Sequence, residues 1–451
     1  MTGSAATEIG GTTTASDFKY MRGSSIAQPE DLKDFADTRL NIIDEISFAN
    51  YSIMKKISDR LRSYSENTTY TFGGQAMCFL GDFCQLECIG GDTLYKNRPG
   101  IYWEQALTWM VELKGTHRYS KCPVMQDILP RMRNGELTSQ DRKVLNSRVI
   151  DGINVRLPDP ARTRFATYCN AARCEINAHT FKAYLEEYHS ASTETNICTT
   201  ALLIKANAQW VTNGQNLSFA QRKVLFEQCS EADIKNNSSQ RCDPLLCLFD
   251  GCNLMMNENI DVGHGMANGT TCIFKKAQLK PGAKLHPVKM HGYWVNAVNV
   301  EDVEYLLLQW QDSSRFVGTF RVANPSKGVF EVKYPFMVAG VRNVDCFNIR
   351  LTQFPVVINH ATTGHKLQGK SMEALAIAEW SPAKNWAYVA ISRVRTLKGL
   401  YLFEEIPDKV DFRPAPNYIE MMTELRQDKS PPHTQVEALK LTLDSINLYL
   451  L

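Results

Sequence analysis

The sequence predicts an α/β fold in at least two domains, with a small β-rich segment set into the second. Three observations predict it. Short apolar runs at residues 40–43 and 76–80 end in Asp44-Glu45 and Gly81-Asp82, the pattern of parallel strands whose carboxyl ends form a ligand-binding edge. Beyond Cys272 the pattern turns to strands at 305–310, 315–322 and 328–334, separated by Asp-Ser-Ser and Asn-Pro-Ser-Lys-Gly turns. The chain then returns to apolar strands at 356–358 and 387–391.

Size and composition agree with that class. A chain of 451 residues exceeds one hydrophobic core, so two or three domains are expected. Hydrophobic residues at 44% and charged residues at 22% are ordinary for a globular chain. No apolar run approaches the roughly 18 residues of a membrane span, so no membrane association is expected. The first 18 residues have neither the basic start nor the apolar stretch of a secretory signal and are not Arg-rich. The nucleus, in a eukaryote, or otherwise the cytoplasm is the expected location. Thirteen cysteines, an odd number without a compact framework, are read as reduced thiols. Cys242, Cys247 and Cys252 come nearest to metal spacing but lack paired knuckles, so buried thiols are expected there, as at Cys169 and Cys174. A net charge of +2 neither demands nor excludes nucleic acid.

Taken in order, the strand at 40–43 is followed by an amphipathic helix over 51–64, with Ile53, Ile57 and Leu61 at helical spacing among Lys55, Lys56, Asp59 and Arg60. A helical stretch over 124–145 leads to a domain boundary near 150 and a new strand at 165–168 that ends near Asn170. Residues 186–242, rich in Ser, Thr, Asn and Gln, read as a variable insertion with loops. After Pro414 and Pro416 the last forty residues read as two helices split by Ser430-Pro431-Pro432. There is no internal repeat.

Asp44-Glu45 after a strand is what a nucleotide hydrolase needs: one carboxylate for the Mg²⁺ shell, the next to orient or deprotonate the attacking water. Such a pair also serves as a turn or helix cap. In Gly81-Asp82-Phe83-Cys84-Gln85-Leu86, a Gln just past a strand end can reach a γ-phosphate with a neutral amide, or simply occupy a loop. Arg393 follows the apolar run at 387–391, where a cation that stays charged and binds bidentately can meet a phosphate.

The segments TGSAATEIGG (2–11), DEIS (44–47), FGG (72–74), GDFCQL (81–86), THR (116–118), TTGHKLQG (362–369) and YVAISRVR (388–395) stand in the order of motifs Ia through VI of another group of proteins. The chain resembles the PIF-type, RecD-like superfamily 1 DNA helicases over residues 2–402. Residues 254–271, LMMNENIDVGHGMANGTT, resemble the family's lead-in to a small inserted barrel. The resemblance implies two RecA-like P-loop NTPase domains, the first incomplete, with an SH3-like β-barrel inserted in the second. The implied division is 1–150 for the first, 151–272 and 346–410 for the second, 273–345 for the barrel and 411–451 for a helical tail.

Carried over residue by residue, the resemblance makes Asp44 the Mg²⁺-linked acid and Glu45 the catalytic base. Gln85 becomes the γ-phosphate sensor, Arg118 and Arg393 the arginine clamp, and Gln368 and Gly369 neighbours of the nucleotide. Thr2, Gly3, Thr363, His365 and Lys366 would face single-stranded DNA. ATP, Mg²⁺, single-stranded DNA and DNA junctions are the implied ligands, 5′-to-3′ movement the implied polarity, and repair, recombination or genome and telomere maintenance the implied process. Two departures stand out. Thr14-Ala15-Ser16 occupies the place of a TLHS-like run. No G-x-x-x-x-G-K-[ST] string is expected anywhere in the chain, and the family's copy lies upstream of motif Ia, where this sequence has only Met1, so the chain is expected to lack that loop, to bind ATP weakly and to be inactive alone. A rolling-circle transposon helicase, or a non-hydrolysing nucleic-acid-binding or regulatory module, would fit the same residues.

Overall fold

In the computed structural model, Leu40–Ile43 (β1) and Ala76–Phe79 (β2) pair in parallel with Ile43 opposite Phe79. The structure describes residues 6–7, 9–19, 35, 37–88, 90–91, 93–96, 100, 106–113, 115, 117–159, 163–191, 197–229, 234–235, 242–311, 313, 315–332 and 347–429. The chain forms two compact units, one of Thr13–Leu137 with Asp411–Leu451, the other of Thr2–Thr12 with Thr138–Val410. The division falls at Leu137/Thr138, earlier than the position near 150 that composition suggests, because the helix after Thr138 belongs with the second unit.

In the first unit the crossover between the two strands is α1, Tyr51–Ser65, whose Asn50 side chain caps the Ile53 amide at 3.0 Å. Its inner face is Met54, Ile57 and Leu61, so Met54 takes the place expected of Ile53. The helical stretch expected over 124–145 is two helices, α2 (Pro123–Asn134) and α3 (Ser139–Asn146). Gly135, at φ +77°, ends α2 with a left-handed cap that a side chain would disfavour. The closing helix Pro416–Asp428 buries Tyr418, Met421 and Leu425, and its Arg426 makes two 2.8 Å hydrogen bonds to Glu112 in the same unit. The second tail helix expected past Ser430 lies outside the described residues.

The second unit carries β3 (Phe165–Thr167), α4 (Asn170–Ala191), β4 (Cys198–Lys205), β5 (Asn207–Trp210), β6 (Ile234–Lys235), β7 (Leu245–Phe249), β8 (Asn253–Met256) and β9 (Thr271–Leu279). It continues with β10 (His286–Met290), β11 (Tyr293–Asn299), β12 (Val303–Trp310), β13 (Thr319–Val322), β14 (Ser326–Val332), β15 (Phe347–Gln353) and β16 (Val356–Ile358). Last come β17 (Ala361–Thr363), α5 (Gly364–Leu367), β18 (Leu375–Ile377), α6 (Trp386–Ile391) and β19 (Leu400–Leu402). Strands β17, β3, β18 and β19 form a parallel sheet in that order. All four carboxyl ends share an edge.

Three further sheets fill the excursion from β4 to β16, in the orders β10-β11-β4-β7, β13-β12-β9-β8-β16 and β5-β15-β14-β6. Leu248, Leu254, Val295, Leu306 and Val356 belong to one buried cluster among these strands. Strands β9, β11 and β14, from the stretch 273–345 expected as a separate insertion, hydrogen-bond to β8, β4, and both β6 and β15 outside it. Two expectations are corrected. Residues 387–391 form helix α6, not a strand. The stretch 186–242, expected as a variable insertion with loops, holds the end of α4, β4, β5, the helix Phe219–Gln228 and β6.

Candidate functional site

Parallel pairing brings two motifs to one sheet edge. The ladder runs past the strands, with the Leu80 amide donating to Ile43 O at 2.8 Å and the Ile46 amide to Leu80 O at 2.9 Å. Asp44-Glu45 and Gly81-Asp82 are thereby fixed side by side. Glu45 sits at φ 55°, ψ 49°, a left-handed conformation rare for a non-glycine residue, and its amide donates to Asp44 Oδ1 at 2.8 Å. It is 9% exposed. Strain of this kind costs about 1–3 kcal/mol and persists where the surroundings over-determine it.

Gly81 is part of those surroundings. Its φ is +152°, and a Cβ there would lie 2.8 Å from the Ile46 amide nitrogen. Gly81→Ala is accordingly expected to destabilise the first unit by about 1–3 kcal/mol, read as a lowered midpoint in thermal unfolding. An unchanged midpoint would show that the turn after Glu45 yields freely.

Asp82 organises the loop that carries Gln85. Its Oδ1 accepts from the Cys84 amide at 2.9 Å and from Arg133 Nη2 at 2.9 Å, and the Gln85 amide donates to Asp82 O at 3.2 Å. Arg133, on α2, went unnoticed in the sequence because nothing about an arginine fifty residues downstream marks it as the anchor of a loop. The FGG motif does structural work: the Phe72 amide donates to Ser58 Oγ at 3.0 Å, and Gly73 packs where a Cβ would lie 2.5 Å from Leu61 O. It locks the start of β2 to α1. Arg118 is exposed, on the turn His117–Tyr119 ahead of α2. Thr2, Gly3 and Thr116 lie outside the described residues.

In the second unit Thr363 ends β17, and α5 carries His365 and Lys366. Gln368 follows, buried, then Gly369 at φ +74°. Lys366 Nζ donates to Asn268 Oδ1 at 2.7 Å, and Lys370 Nζ to Gly269 O at 2.7 Å. The segment at 254–271 singled out in the sequence is thus stitched to the segment at 362–370. Arg393 is 3% exposed just past α6, with Nε on Val389 O at 2.8 Å, Nη2 on Ser392 Oγ at 2.6 Å and Nη1 on Lys370 O at 3.5 Å. The backbone joins as well: the Met372 amide donates to Arg393 O at 2.8 Å, and the Arg395 amide to Met372 O at 3.0 Å.

The expectation that the chain holds no G-x-x-x-x-G-K-[ST] string needs correcting, since Gly364-His365-Lys366-Leu367-Gln368-Gly369-Lys370-Ser371 has that spacing. Its structure is the reverse of a phosphate loop. In a phosphate loop the Gly-Lys-Ser/Thr run opens the following helix, so that its first amides and the lysine converge on phosphate. Here the helical turn Gly364–Leu367 comes first, and the Gly-Lys-Ser run leads through Met372, bridged to Val394, into β18. The Lys370 ammonium is held by Gly269 O.

Among the described residues no group of three or more His, Cys, Asp or Glu could hold a metal ion. Mg²⁺ brought by a nucleotide takes one or two carboxylates and completes its shell with phosphate and water. Asp44, half-buried at the sheet edge, is such a carboxylate. Cys169 is exposed and Cys174 half-buried, not buried thiols as expected, whereas Cys252 and Cys272 are buried and Cys247 half-buried, with burial pushing these last three thiols up, Cys272 to about 12. They are poor ligands and poor nucleophiles. No described helix is long and apolar enough to cross a membrane.

No protein-family model matches the chain. It is 24% identical over 420 residues to the ATP-dependent DNA helicase Pif1 of Bdellovibrio bacteriovorus, covering 89% of this chain and 76% of that protein. Its fold matches that of a Pif1 helicase from Bacteroides in complex with ADP-AlF3 and ssDNA, with a TM-score of 0.62, 20% identity and coverage of 95% and 86%. Pif1 helicase from Candida albicans matches with a TM-score of 0.60, 16% identity and coverage of 94% and 87%. A structure of two coordinating Pif1 helicases unwinding forked dsDNA matches with a TM-score of 0.61, 20% identity and coverage of 94% and 85%.

Proposed function

We propose that this chain, a homologue of the PIF-type superfamily 1 DNA helicases in sequence and fold, works as an ATP-driven motor on single-stranded DNA and DNA junctions. The observation that carries the reading is the parallel β1–β2 pair, which sets Asp44 and Glu45 beside the loop of Gln85. Glu45 takes the proton of the attacking water. Asp44 holds the Mg²⁺ shell, and Gln85 senses the γ-phosphate with its amide. When bound, Mg²⁺ neutralises charge on the phosphates and orients them for in-line attack. Arg118 and Arg393 supply positive charge to the transferring phosphoryl group, with Gln368 and Gly369 near the nucleotide.

On the DNA side we assign Thr2, Gly3, Thr363, His365 and Lys366 to the backbone of a single strand. Of these, Lys366 also bonds Asn268 in the loop before β9. We assign the strands between β4 and β16 to the part that in this family includes an inserted barrel. Movement in the 5′-to-3′ sense and a role in repair, recombination or genome maintenance complete the reading.

The test is DNA affinity. An oligo-dT strand titrated against the chain by fluorescence anisotropy is expected to bind, and His365→Ala to weaken binding about fivefold, the value of one net hydrogen bond of about 1 kcal/mol. The loss should be equal for different base sequences, since backbone contacts carry no sequence information. Unchanged affinity on substitution would return His365 to a packing role.

A further inference from the structure

We propose that Lys370 is a positioning residue that sets Arg393, and that Arg315 ties the segment at residues 7–10 to the same assembly. The proposal deepens the motor reading above and rests on it for its link to DNA. Lys370 holds two partners at once. Its ammonium reaches Gly269 O at 2.7 Å, and its own carbonyl accepts from Arg393 Nη1 at 3.5 Å. Any shift of the 257–270 loop is therefore felt one residue away from the arginine assigned to phosphate.

That loop is built to move as a piece. Asp261 and Met266 exchange both backbone hydrogen bonds, at 3.0 and 2.8 Å, while the Asp261 carboxylate accepts from the His264 amide at 3.2 Å and contacts His264 Nδ1 at 2.8 Å. The Asn268 amide donates to Asn259 Oδ1 at 2.8 Å, and Lys366 grips the other side of Asn268. Two lysines four residues apart thus converge on adjacent residues of a braced loop.

At its far end the loop meets an aromatic ring. Gly265, at φ +83°, lies where a Cβ would come within 2.7 Å of the Phe316 ring, so the ring packs directly on the glycine backbone. Arg315 stands over that ring at 5.3 Å and donates from Nη1 to Thr7 O at 3.3 Å, and a Cβ on Gly10 would collide with its guanidinium. The contacts are therefore continuous from residues 7–10, in the motif expected to face DNA, through Arg315, Phe316 and the loop to Lys370 and Arg393. Side chains packed on glycine backbone and ammonium groups bonded to carbonyls leave little slack, because close-packed interiors transmit displacement.

Amide hydrogen exchange on the chain tests this without relying on catalysis. The Met372 and Arg395 amides bond across the Lys370–Arg393 junction and report on it. Lys370→Met is expected to speed their exchange about tenfold, and Lys370→Arg, which keeps a cationic donor, to restore it. Arg315→Ala is expected to speed exchange at both the 262–268 tip and Met372, far along the sequence from the substitution. Asn268→Ala, which removes the acceptor of Lys366 on the same half-buried loop, supplies a second break should Lys370→Met fold poorly. Exchange that changes only beside each substituted residue would overturn the proposal. In a parallel arm, bound oligo-dT should slow exchange at Met372 and Arg395 in the parent but not in Arg315→Ala. Slowing that survives in the variant would also overturn it. Failure of oligo-dT to bind the parent would instead count against the DNA reading, and the free-chain result would still decide the relay.

Discussion

Replacing Glu45 with Gln is expected to lower ATP hydrolysis by about 10²–10⁴-fold, the usual contribution of a positioned general base, while single-stranded DNA affinity holds. The substitution is chosen for what it preserves. Gln has the shape of Glu, can keep the left-handed backbone at φ 55°, and leaves intact the bond from its own amide to Asp44 Oδ1. Only the proton acceptor is lost. Hydrolysis is measured at saturating ATP and single-stranded DNA, so that neither binding step limits the rate. Hydrolysis at the parental rate would remove Glu45 from the role of base and leave its strained backbone as a structural feature of the turn into Ile46–Phe48.

The sequence made the site's order legible, because its motifs end strands. An apolar tetrapeptide that runs into Asp44-Glu45 can be read directly, and so can its partner before Gly81; parallel pairing then follows from the helix between them. Arg133 was not legible. Its bond to Asp82 depends on where α2 packs, which no local pattern encodes. Likewise the lysines of the 362–370 segment carry no mark that distinguishes a carbonyl or an amide from a phosphate as their partner. Only the fold shows Lys366 on Asn268 and Lys370 on Gly269.

Two misreadings have the same physical origin. The run Ala387–Ile391 is apolar and partly β-branched, and a fully buried segment shows neither the period of a helix nor that of a strand. Burial on all sides is what α6 has: Trp386, Ala387, Val389, Ala390 and Ile391 are all buried. The stretch around 186–242 misleads in the opposite way. Its Ser, Thr and Asn suggested loops, yet β4 buries Cys198, Ala201, Leu203 and Ile204 and pairs with both β7 and β11. Tertiary pairing outweighed composition there. The Gly364–Ser371 string makes the same point for motifs, since spacing without a strand-loop-helix context does not make a phosphate-binding loop.

Arg393→Ala is expected to have the largest effect, a loss of about 10³-fold or more in ATP hydrolysis, the range seen when an arginine that stabilises transferring phosphoryl is removed. The structure complicates the reading in a useful way. Arg393 is buried, with Val389 O, Ser392 Oγ and Lys370 O as acceptors, so alanine also strips hydrogen bonds from the junction between α6 and the segment after α5. Each buried acceptor left unsatisfied costs about 1–3 kcal/mol, which predicts a lower thermal midpoint alongside the lost activity. Arg393→Lys separates the two effects. Lysine keeps the charge and one donor toward the carbonyls but not the planar fork that binds phosphate bidentately. If the arginine acts on phosphate, the lysine variant should recover much of the thermal midpoint and little of the hydrolysis. Activity that returned in step with the midpoint would make Arg393 a structural tie between two segments of the second unit, and its place in the phosphate clamp would have to be given up.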